Sequence, residues 1–570
     1  MCYKGRNKRA TISTKPHFCF NTEEDAMVRT GLLCSAVLIA SLAAGVPAQA
    51  QDFPGSVQGV VKSSSGQALP GAYVKLTNAE RRLTFMLVTQ AQGRYSMNNL
   101  PPGNYTVQGV GNGFQSKLTP VALTAGRPAM ADVSLTDRQG PVVPNGWVRT
   151  PGRVSGNEMD HELPPPVLPA GEGKAVVEAK CGQCHLLHRL TQMRWTRDNW
   201  VTKIKWMRER VPERKATDLT DQEEKIVVDY LAKNFSTTTP RSDPNGRLSR
   251  TLLTGAAAKY IAVDFEGPNP DAAYHDLTVD PRGVAWANQL NVYKLAKFDP
   301  KTFTFTEIAP PAAGKPATLA HMGPPAKGAG DSIWMADIGG SRRWLEFNTR
   351  TEQFTPYPVP TDFKGSISGN TMRVDPNGKM VWTTAGTRIV GLNIRDKKFT
   401  AYEIPTNDPG AYGIDVAGDG RVWFAEREAN KMGRLDPATG KIDEFPTPGT
   451  DIPRRMGTDW EGNLWVGFHR TSKLVKVDQK TGKMTFYEPP TKNSGTYHVV
   501  PDPRTKMIWV TEQTADKIAR FDPATETWTE FSLPIIESDA RRIELDPTNP
   551  NRIWWAGDTS THLGYIEVLQ

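Results

Sequence analysis

Cysteine is scarce in this chain of 570 residues, which contains only five. Cys2, Cys19 and Cys34 lie within the first 50 positions, so Cys181 and Cys184 are the only two that follow. Exported domains usually pair their cysteines as disulfides. Here no cysteine is left for a disulfide in the C-terminal half, and the two late ones stand three positions apart, which favours a shared role.

Long apolar runs are also missing after the N-terminal region. Residues 31–40 form the one apolar run, behind Arg29, and it ends near the small-x-small pattern of residues 48–50. This pattern predicts a secretory signal cut before Gln51, with Met27 as an alternative start to Met1. No later segment is apolar enough to cross a membrane, so we expect an exported, periplasmic protein without a membrane span.

The chain has no strong charge of one sign. Its net charge is +8, but six Lys and Arg residues fall in the first 30 positions and no basic block follows. This balance gives no support for nucleic-acid binding. A hydrophobic fraction of 38% with 49 glycines and 45 prolines favours a multidomain, mainly β protein, because 570 residues exceed one hydrophobic core.

Alternating apolar and polar residues between Gly and Pro turns mark residues 53–136, as in GSVQGVVKSSSGQALPGAYVKLTN and LPPGNYTVQGV. Period-two alternation with frequent turns predicts a small antiparallel sandwich. The order of these motifs resembles the carboxypeptidase regulatory-like (prealbumin-like) domain, which implies a scaffold or adhesion module. Residues 137–170 are rich in Pro and Gly and are predicted to be a linker.

Residues 171–240 carry helical signals instead. Trp200, Ile204 and Met207 recur at helical spacing behind Thr196, which is placed to cap the helix. The sequence T-D-Q-E at 220–223 predicts a capping box that opens a further helix. The segment is therefore predicted to be a small α-helical domain built around C-x-x-C-H.

Residues 251–570 form a repeat. Each unit has an apolar strand, a D-P or D-G turn, a strand with tryptophan and two further strands. The tryptophans stand at 286, 334, 382, 423, 465, 509 and 554. A period of about 40–45 residues with four strands predicts a seven-bladed β-propeller. Residues 259–267 precede the first blade and are predicted to supply the strand that the last blade lacks.

The motif KCGQCH predicts covalent attachment of one haem c. Cys181 and Cys184 would form thioethers and His185 would ligate the iron. Zinc is the rival ligand for C-x-x-C, but it needs four donors and no second cysteine pair exists. A thioredoxin-like redox pair would need a βαβ context, which the sequence does not indicate.

Two methionines compete for the sixth position on the iron. The pattern W-x-x-x-I-x-x-M followed by an I-V-x-Y-L helix resembles small class I cytochrome c domains, and this resemblance implies that Met207 is the distal ligand. Met193, eight residues past His185, is the alternative ligand. The other interpretation is that Met207 is an ordinary core methionine without a ligand role. Methionine ligation would suit electron transfer.

Polar residues near strand ends predict a pocket at the propeller opening. Five acids and histidines are expected at this rim, together with two arginines: His275, His498, Asp337, Glu426, Glu512, Arg454 and Arg455. Propeller folds host many functions, so the chemistry must come from such residues.

The motif G-x-D-G-x-V-W-F-x-E-x-x-x-N-K-x-G-R-L-D-P-A-T-G resembles the virginiamycin B (streptogramin) lyase family. That family opens a cyclic depsipeptide by metal-assisted elimination. The resemblance implies His498 as general base and Glu512 as a ligand of Mg²⁺. The family's second glutamate falls on Thr496 here, and a hydroxyl is a weak replacement for a carboxylate at Mg²⁺. A channel-lining His498 without a base role is the alternative.

Three functions follow from these motifs. The first is an exported c-type cytochrome that transfers electrons through haem c, with a propeller that binds a substrate or a redox partner, either a protein or a small-molecule donor or acceptor. The second is a C–O lyase of the virginiamycin B lyase type. The third is a scaffold without catalysis. The sequence alone therefore leaves open whether the propeller is an enzyme.

Overall fold

The computed structural model describes residues 53–145, 166–183, 187–208, 217–239, 243–289, 292–312, 326–327, 330–337, 342–367, 371–449, 451–558 and 560–570. The predicted signal segment, Cys184 and His185 lie outside these ranges. Among the described residues, no helix is both long and apolar enough to cross a membrane.

Residues 55–138 form a β-sandwich, as predicted. Its ten strands are β1 (Gly55–Ser63), β2 (Tyr73–Asn78), β3 (Leu83–Val88), β4 (Arg94–Leu100), β5 (Gly103–Gly111), β6 (Phe114–Gln115), β7 (Thr119–Leu123), β8 (Ala129–Met130), β9 (Val133–Leu135) and β10 (Asp137–Arg138). One sheet has the order β4-β1-β8 with β9 also on β1, and the other runs β10-β6-β5-β2-β3 with β7 on β5. Val57 and Val61 of β1 are buried while Gln58 is exposed, which is the predicted alternation.

Four helices are described between residues 174 and 234. They are α1 (Lys174–Lys180), α2 (Leu187–Gln192), α3 (Arg197–Arg208) and α4 (Asp221–Asn234). Short 3₁₀ turns occur at Ala91–Gly93, Cys181–Gln183 and Gly255–Ala258. The predicted capping box is present at Thr220 and Glu223, and the Thr196 hydroxyl accepts a hydrogen bond from the Asn199 amide at 3.3 Å. Both helix starts are thus as predicted.

The four helices share one apolar core. Trp195 and Trp200 lie 4.8 Å apart between ring centroids, and Ile204 and Leu231 are buried with them. The indole of Trp200 donates to the carbonyl of Phe235, beyond the end of α4, at 3.1 Å. These contacts unite α3 and α4 into one small body, which we call the helical body.

The remaining strands belong to seven four-stranded units. The first three units contain β12 (Leu277–Val279), β13 (Ala285–Gln289), β14 (Lys294–Asp299), β15 (Thr304–Ile308), β16 (Ala326–Lys327), β17 (Ser332–Asp337), β18 (Arg343–Asn348), β19 (Gln353–Pro358), β20 (Met372–Val374), β21 (Met380–Ala385), β22 (Arg388–Asn393) and β23 (Lys398–Glu403). The next three contain β24 (Ala411–Val416), β25 (Val422–Glu426), β26 (Lys431–Leu435), β27 (Ile442–Pro446), β28 (Pro453–Thr458), β29 (Leu464–Phe468), β30 (Lys473–Val477), β31 (Met484–Tyr487), β32 (Thr496–Asp502), β33 (Met507–Glu512), β34 (Lys517–Asp522) and β35 (Thr527–Ser532).

The seventh unit is closed by a strand from the start of the repeat region. It combines β36 (Ala540–Leu545), β37 (Arg552–Gly557) and β38 (His562–Val568) with β11 (Tyr260–Glu266). The strand that residues 259–267 were predicted to supply is therefore confirmed. The first strand of each unit contacts the first strand of the next, and β12 also contacts β36. The units thus form a closed ring of seven blades.

Each tryptophan of the repeat lies on the second strand of its blade, as predicted. In three blades the indole nitrogen donates to the aspartate of the preceding turn, from Trp286 to Asp280 at 3.1 Å, Trp465 to Asp459 at 2.8 Å and Trp554 to Asp546 at 3.0 Å. The tryptophan and the turn aspartate therefore recur together because one supplies the hydrogen-bond partner of the other.

Strand β11 is paired on both sides. It pairs with β38 of the last blade and, antiparallel, with β3 of the sandwich, where Val263 lies opposite Phe85. The sandwich sheet and the seventh blade thus form one ten-stranded sheet. Phe85, Phe265 and Trp554 share a single apolar core. The sequence did not indicate this continuity between the two domains.

Candidate functional site

The first strands of blades 4 to 7 share an irregularity at the same place. Each register shows one extra residue: between Ala411 and Ile414, Pro453 and Met456, Thr496 and Val499, and Ala540 and Arg542. A β-bulge redirects the side chains at its position. The bulges hold Tyr412, Arg454, Arg455, Tyr497, His498 and Arg541, all of which are buried.

Two tyrosines from these bulges contact each other. The hydroxyls of Tyr412 and Tyr497 form a short hydrogen bond, and the Arg454 guanidinium lies 5.2 Å from both ring centroids. Arg541 lies 5.1 Å from the ring of Tyr497. Burial would raise the pKa of Tyr412, but the charges of Arg455, Arg541 and Arg454 outweigh burial and lower that pKa to about 7. Burial raises the pKa of Tyr497. The pair therefore gives up one proton more readily than a free tyrosine.

A buried ion-pair network surrounds the tyrosines. Arg455 donates both terminal nitrogens to Asp276, the second at 3.0 Å, and His275 Nδ1 forms a short hydrogen bond with the same carboxylate. Arg541 pairs with Asp558 at 2.7 Å. Despite the opposing effect of burial, the charges of Arg455 and His275 hold the pKa of Asp276 below its usual value. Charges taken out of water in this way require such partners.

His498 is 1% exposed and faces cationic neighbours. Its Nδ1 accepts a hydrogen bond from the Ile543 amide at 3.1 Å, and its Nε2 lies 3.4 Å from Nη2 of Arg373. Burial, then the charges of Arg542 and Arg373, lower the pKa of His498 well below the usual value. A neutral ring that accepts at Nδ1 carries its proton on Nε2. In this arrangement His498 is a hydrogen-bond donor at Nε2.

Glu512 has different surroundings. It is fully buried, and among the described residues neither carboxyl oxygen has a hydrogen bond of good geometry, although the Ser494 hydroxyl lies close enough to favour the ionised form slightly. Burial, then the charge of Glu530, raise its pKa to about 8, against the effect of Lys517. Lys517 bonds to Glu530 at 2.7 Å. His498 and Glu512 thus contact different groups, although both belong to blade 6.

Glu426 repeats this arrangement in blade 4. Lys431 bonds to Glu444 at 3.1 Å, and burial together with Glu444 raises the pKa of Glu426 to about 7. Asp337 of blade 2 instead pairs with Arg343 at 3.1 Å. The structure therefore brings His275, Arg454 and Arg455 together near the Tyr412–Tyr497 pair, and it places the three acids in three separate clusters.

Thr496 occupies the place where the family resemblance puts a second metal-binding carboxylate. Its hydroxyl contacts the carbonyls of Phe468 at 3.1 Å and Lys473 at 2.7 Å. Within the described ranges, no three His, Cys, Asp or Glu side chains come together as metal ligands usually do. The Mg²⁺ site that involves Glu512 remains a prediction.

The haem-site prediction concerns the helical body. Cys181 is half-buried at the end of α1, and it packs beside the apolar core together with Met193. Met207 is half-buried on α3, one turn past buried Ile204. Because Cys184 and His185 lie outside the described residues, the complete ligand set stays a prediction.

The helical body contacts the propeller near His275. Thr196, at the start of α3, donates its amide and its hydroxyl to the carboxylate of Asp271 at distances of 2.8 to 3.0 Å. Asp271 stands four residues before His275, where the chain enters the first strand of blade 1. The cysteine-bearing body and the buried site are thus joined through one short segment.

Sequence reasoning missed Tyr412, Asp276, Arg373, Arg541 and Arg542. A signal for several of them was present, because blades 4 to 7 carry Y-G, R-R, Y-H and R-R at matching positions near the start of their first strands. Large or polar pairs at a position where a strand normally alternates indicate a bulge. Asp276 and Arg373 have no such signal, since their partners come from other blades.

Two family models match parts of the chain. The virginiamycin B lyase family matches residues 325–569, which is less than half of the chain, and the carboxypeptidase regulatory-like domain matches residues 56–136. No curated protein matches the chain significantly. The matched regions cover the sandwich and blades 2 to 7, and the helical body lies between them.

Several solved structures are similar to the chain. A streptogramin B lyase is 22% identical, covering 55% of this chain and all of that one, with a TM-score of 0.48. Virginiamycin B lyase from Staphylococcus aureus is 20% identical with the same coverage and a TM-score of 0.47. Hydrazine synthase from Kuenenia stuttgartiensis is 11% identical, covering 53% of this chain and 97% of that one, with a TM-score of 0.44.

Proposed function

We propose that the chain is an exported electron-transfer protein that holds one haem c in its helical body and binds a substrate or redox partner at its propeller. The C-x-x-C-H motif within this body is the observation that carries the proposal. Cys181 ends a helix and lies against an apolar core, which suits a thioether bond to a large apolar cofactor. A bound haem would supply a one-electron couple.

The described residues around Cys181 suit such a group, and the rest of the ligand set comes from the sequence motif. Cys181 and Cys184 would anchor it, His185 would ligate one side, and Met207 would ligate the other, with Met193 as the alternative. Trp195, Trp200 and Ile204 exclude water from the core next to these residues. Exclusion of water and ligation by methionine both favour the reduced state and raise the potential.

The position of the helical body also supports the proposal. Thr196 bonds to Asp271, and the following residues lead to His275 and the arginine-rich site. This arrangement suits electron exchange between a propeller ligand and the cofactor.

Covalent attachment can be tested on the full chain produced in a host that matures cytochrome c. The wild-type protein is expected to keep a peroxidase-active haem stain after denaturation, and Cys181→Ala with Cys184→Ala is expected to lose it. Reduced and oxidised spectra of Met207→Ala and Met193→Ala then identify the sixth ligand, since only one of them should abolish the band of methionine-sulfur ligation. A colourless wild-type protein with both thiols open to alkylation would refute the proposal.

A lyase of the virginiamycin B type is the second candidate, favoured by the family match over residues 325–569. In that function His498 would remove a proton, which requires the other tautomer or release of the Nδ1 hydrogen bond to the Ile543 amide, and Glu512 would bind Mg²⁺. Its test is ring opening of a cyclic depsipeptide by the full chain with and without added Mg²⁺, compared with His498→Ala and Glu512→Gln. Turnover that requires Mg²⁺ and both side chains would support this candidate, whereas the absence of Mg²⁺-dependent turnover would remove it.

A further inference from the structure

Donor groups from three blades converge around His498. Arg373 of blade 3 lies 3.4 Å from Nε2 of His498 in blade 6. The charges of Arg542 in blade 7 and of Arg373 both act on the same imidazole. His498 and Arg542 are at most 2% exposed, whereas the Arg373 side chain is 16% exposed. The cluster is therefore buried and opens on the Arg373 side.

The tautomer of His498 makes this a cluster of donors. Nδ1 already accepts from the Ile543 amide at 3.1 Å, so the neutral ring has its hydrogen on Nε2. The nitrogens of an arginine side chain can likewise only donate hydrogen bonds. The 3.4 Å approach of Nε2 and Nη2 therefore sets two donors side by side, close enough for one acceptor to bond to both.

Arg542 contributes donors that no described residue accepts. Its Nη2 bonds to Glu544 at 3.1 Å, but its Nε and Nη1 are buried and have no hydrogen-bond partner within the described part of the chain. A buried guanidinium nitrogen without an acceptor is costly. Buried donors without an acceptor are rare in folded proteins unless a bound ligand supplies the acceptor.

The local charges indicate what kind of acceptor fits. Arg373, Arg455 and Arg542 each face one carboxylate, at Asp415, Asp276 and Glu544 respectively. The three pairs balance formally, but burial, then the charges of Arg542, Arg373 and Arg455, lower the pKa of the His498 imidazole, so positive charge dominates there and a singly charged anion is favoured. A dianion such as sulfate would exceed this excess of positive charge. A carboxylate has two oxygens that can accept from several N–H groups at once.

We propose that this cluster binds the carboxylate of a small organic acid, with Arg373, Arg542 and Nε2 of His498 donating to its oxygens. The inference rests on the proposed function only in that the propeller binds a small molecule. It assigns that molecule to the organic acids and gives His498 the role of a donor that positions the ligand.

The test is calorimetric titration of the full chain with sodium acetate at constant ionic strength set by chloride, with sodium sulfate as the second probe. Acetate is expected to bind with 1:1 stoichiometry and sulfate at least ten-fold more weakly. Arg542→Gln and Arg373→Gln are each expected to weaken acetate binding at least ten-fold. Arg395→Gln is the matched control, because Arg395 is 90% exposed and should leave binding unchanged.

Three results would overturn the inference: no acetate binding above the chloride background, sulfate binding as tight as acetate, or unchanged binding in Arg373→Gln. If Arg542→Gln fails to fold, the wild-type protein still gives a decisive measurement. Modification of Arg373 by phenylglyoxal, followed by mass spectrometry of its peptide, should slow several-fold in acetate, whereas modification of Arg395 should not. Equal rates with and without acetate would refute the site.

The same titration separates this inference from the cytochrome proposal. Acetate binding is read out as heat in the titration and as peptide mass in the modification experiment, and neither readout needs a haem. A chain without covalent haem that still binds acetate would refute the cytochrome and leave the carboxylate site standing. A haem-loaded chain that does not bind acetate would refute the carboxylate site and leave the cytochrome proposal standing.

Discussion

At the scale of single residues, burial and neighbouring charge change the chemistry of ordinary side chains. Tyr412 and Glu512 are both buried, yet burial dominates only at Glu512. At Tyr412 three arginines outweigh it, so the pKa falls, whereas at Glu512 the nearby Glu530 adds to burial, so the pKa rises. The sign of the shift therefore depends on which charges the fold places nearby.

Tyr412 provides a test of this balance. Because its pKa is lowered to about 7, one tyrosine should ionise near neutral pH while the others ionise near or above 10. A pKa that is lower in the folded state adds stability at high pH, and this contribution is lost as the pH falls through 7. Ultraviolet difference absorbance between wild type and Tyr412→Phe should show the neutral-pH phenolate step in the wild type only.

If the two proteins titrate identically below pH 9, the arginines do not stabilise a phenolate at this pair. Tyr357→Phe is a suitable control, since burial, then Glu346, raise the pKa of Tyr357 to about 12. Its loss should leave the neutral step unchanged.

Glu512 should affect stability with the opposite pH dependence. Its pKa of about 8 in the folded protein exceeds the ordinary value of 4.5. The stability linked to this group is therefore full below about pH 4.5 and is lost as the pH rises through 8. Glu512→Gln removes the ionisable group and keeps the shape, so it should be more stable than wild type at pH 8.5, by on the order of 3 kcal/mol.

The measurement is denaturant unfolding of both proteins at pH 5 and pH 8.5. The two free energies should be close at pH 5 and should separate at pH 8.5. The exposed Glu80, changed to Gln, is the matched control variant. A separation of equal size at both pH values would show that Glu512 acts through packing or hydrogen bonding and that its ionisation is irrelevant.

At the scale of elements, the repeated β-bulge and strand β11 determine the site. The extra residue in β24, β28, β32 and β36 directs consecutive side chains into the ring, so four blades build a polar centre within an otherwise regular repeat. Strand β11 decides whether that ring closes, because it is the fourth strand of the last blade.

A charge introduced into β11 should therefore disturb two domains at once. Val263 is 1% exposed in the core that the sandwich shares with the last blade. Val263→Asp buries an unpaired carboxylate, and we expect a loss of about 3 kcal/mol or more. Thr355→Asp places the same side chain at an exposed position of outer strand β19 and should cost less than about 0.5 kcal/mol.

Calorimetric or fluorescence-detected unfolding would measure both variants. In Val263→Asp the melting of sandwich and propeller should shift together, because one strand serves both. A shift confined to one of the two transitions would show that the pairing of β3 with β11 contributes little to stability.

At the scale of the whole molecule, the sandwich covers an edge of the ring. Strand β3 occupies the outer side of β11, and Phe85 packs with Phe265 and Trp554. Without the sandwich, β11 would present an open sheet edge and apolar surface to water. Exposed edges and apolar patches of this kind promote association.

Removal of residues 51–140 should therefore yield a propeller that associates. The truncated chain is expected to elute as oligomers or aggregates in size-exclusion chromatography with light scattering, at concentrations where the longer chain has the mass of one copy or of a defined assembly. A truncated chain with unchanged mass and an unchanged melting temperature would show that the sandwich is an independent appendage.

The sequence by itself determined the elements and their count. The tryptophan period predicted the blades, the alternation at Val57 and Val61 predicted the sandwich, and Thr220 with Glu223 predicted a helix start. These signals are local, because a strand, a turn or a cap depends on residues within one repeat. The C-x-x-C-H motif is equally local, which is why the haem proposal rests on sequence.

Only the tertiary structure decided which side chains meet. Asp276 and Arg455 are 179 positions apart, and Arg373 and His498 are 125 apart. Their contacts depend on which blades face each other across the closed ring, and the pattern within one repeat does not encode that. Within blade 6 the bulge of β32 separates His498 from Glu512, because it directs His498 towards the centre of the ring while the position of Glu512 on β33 directs that side chain into the blade.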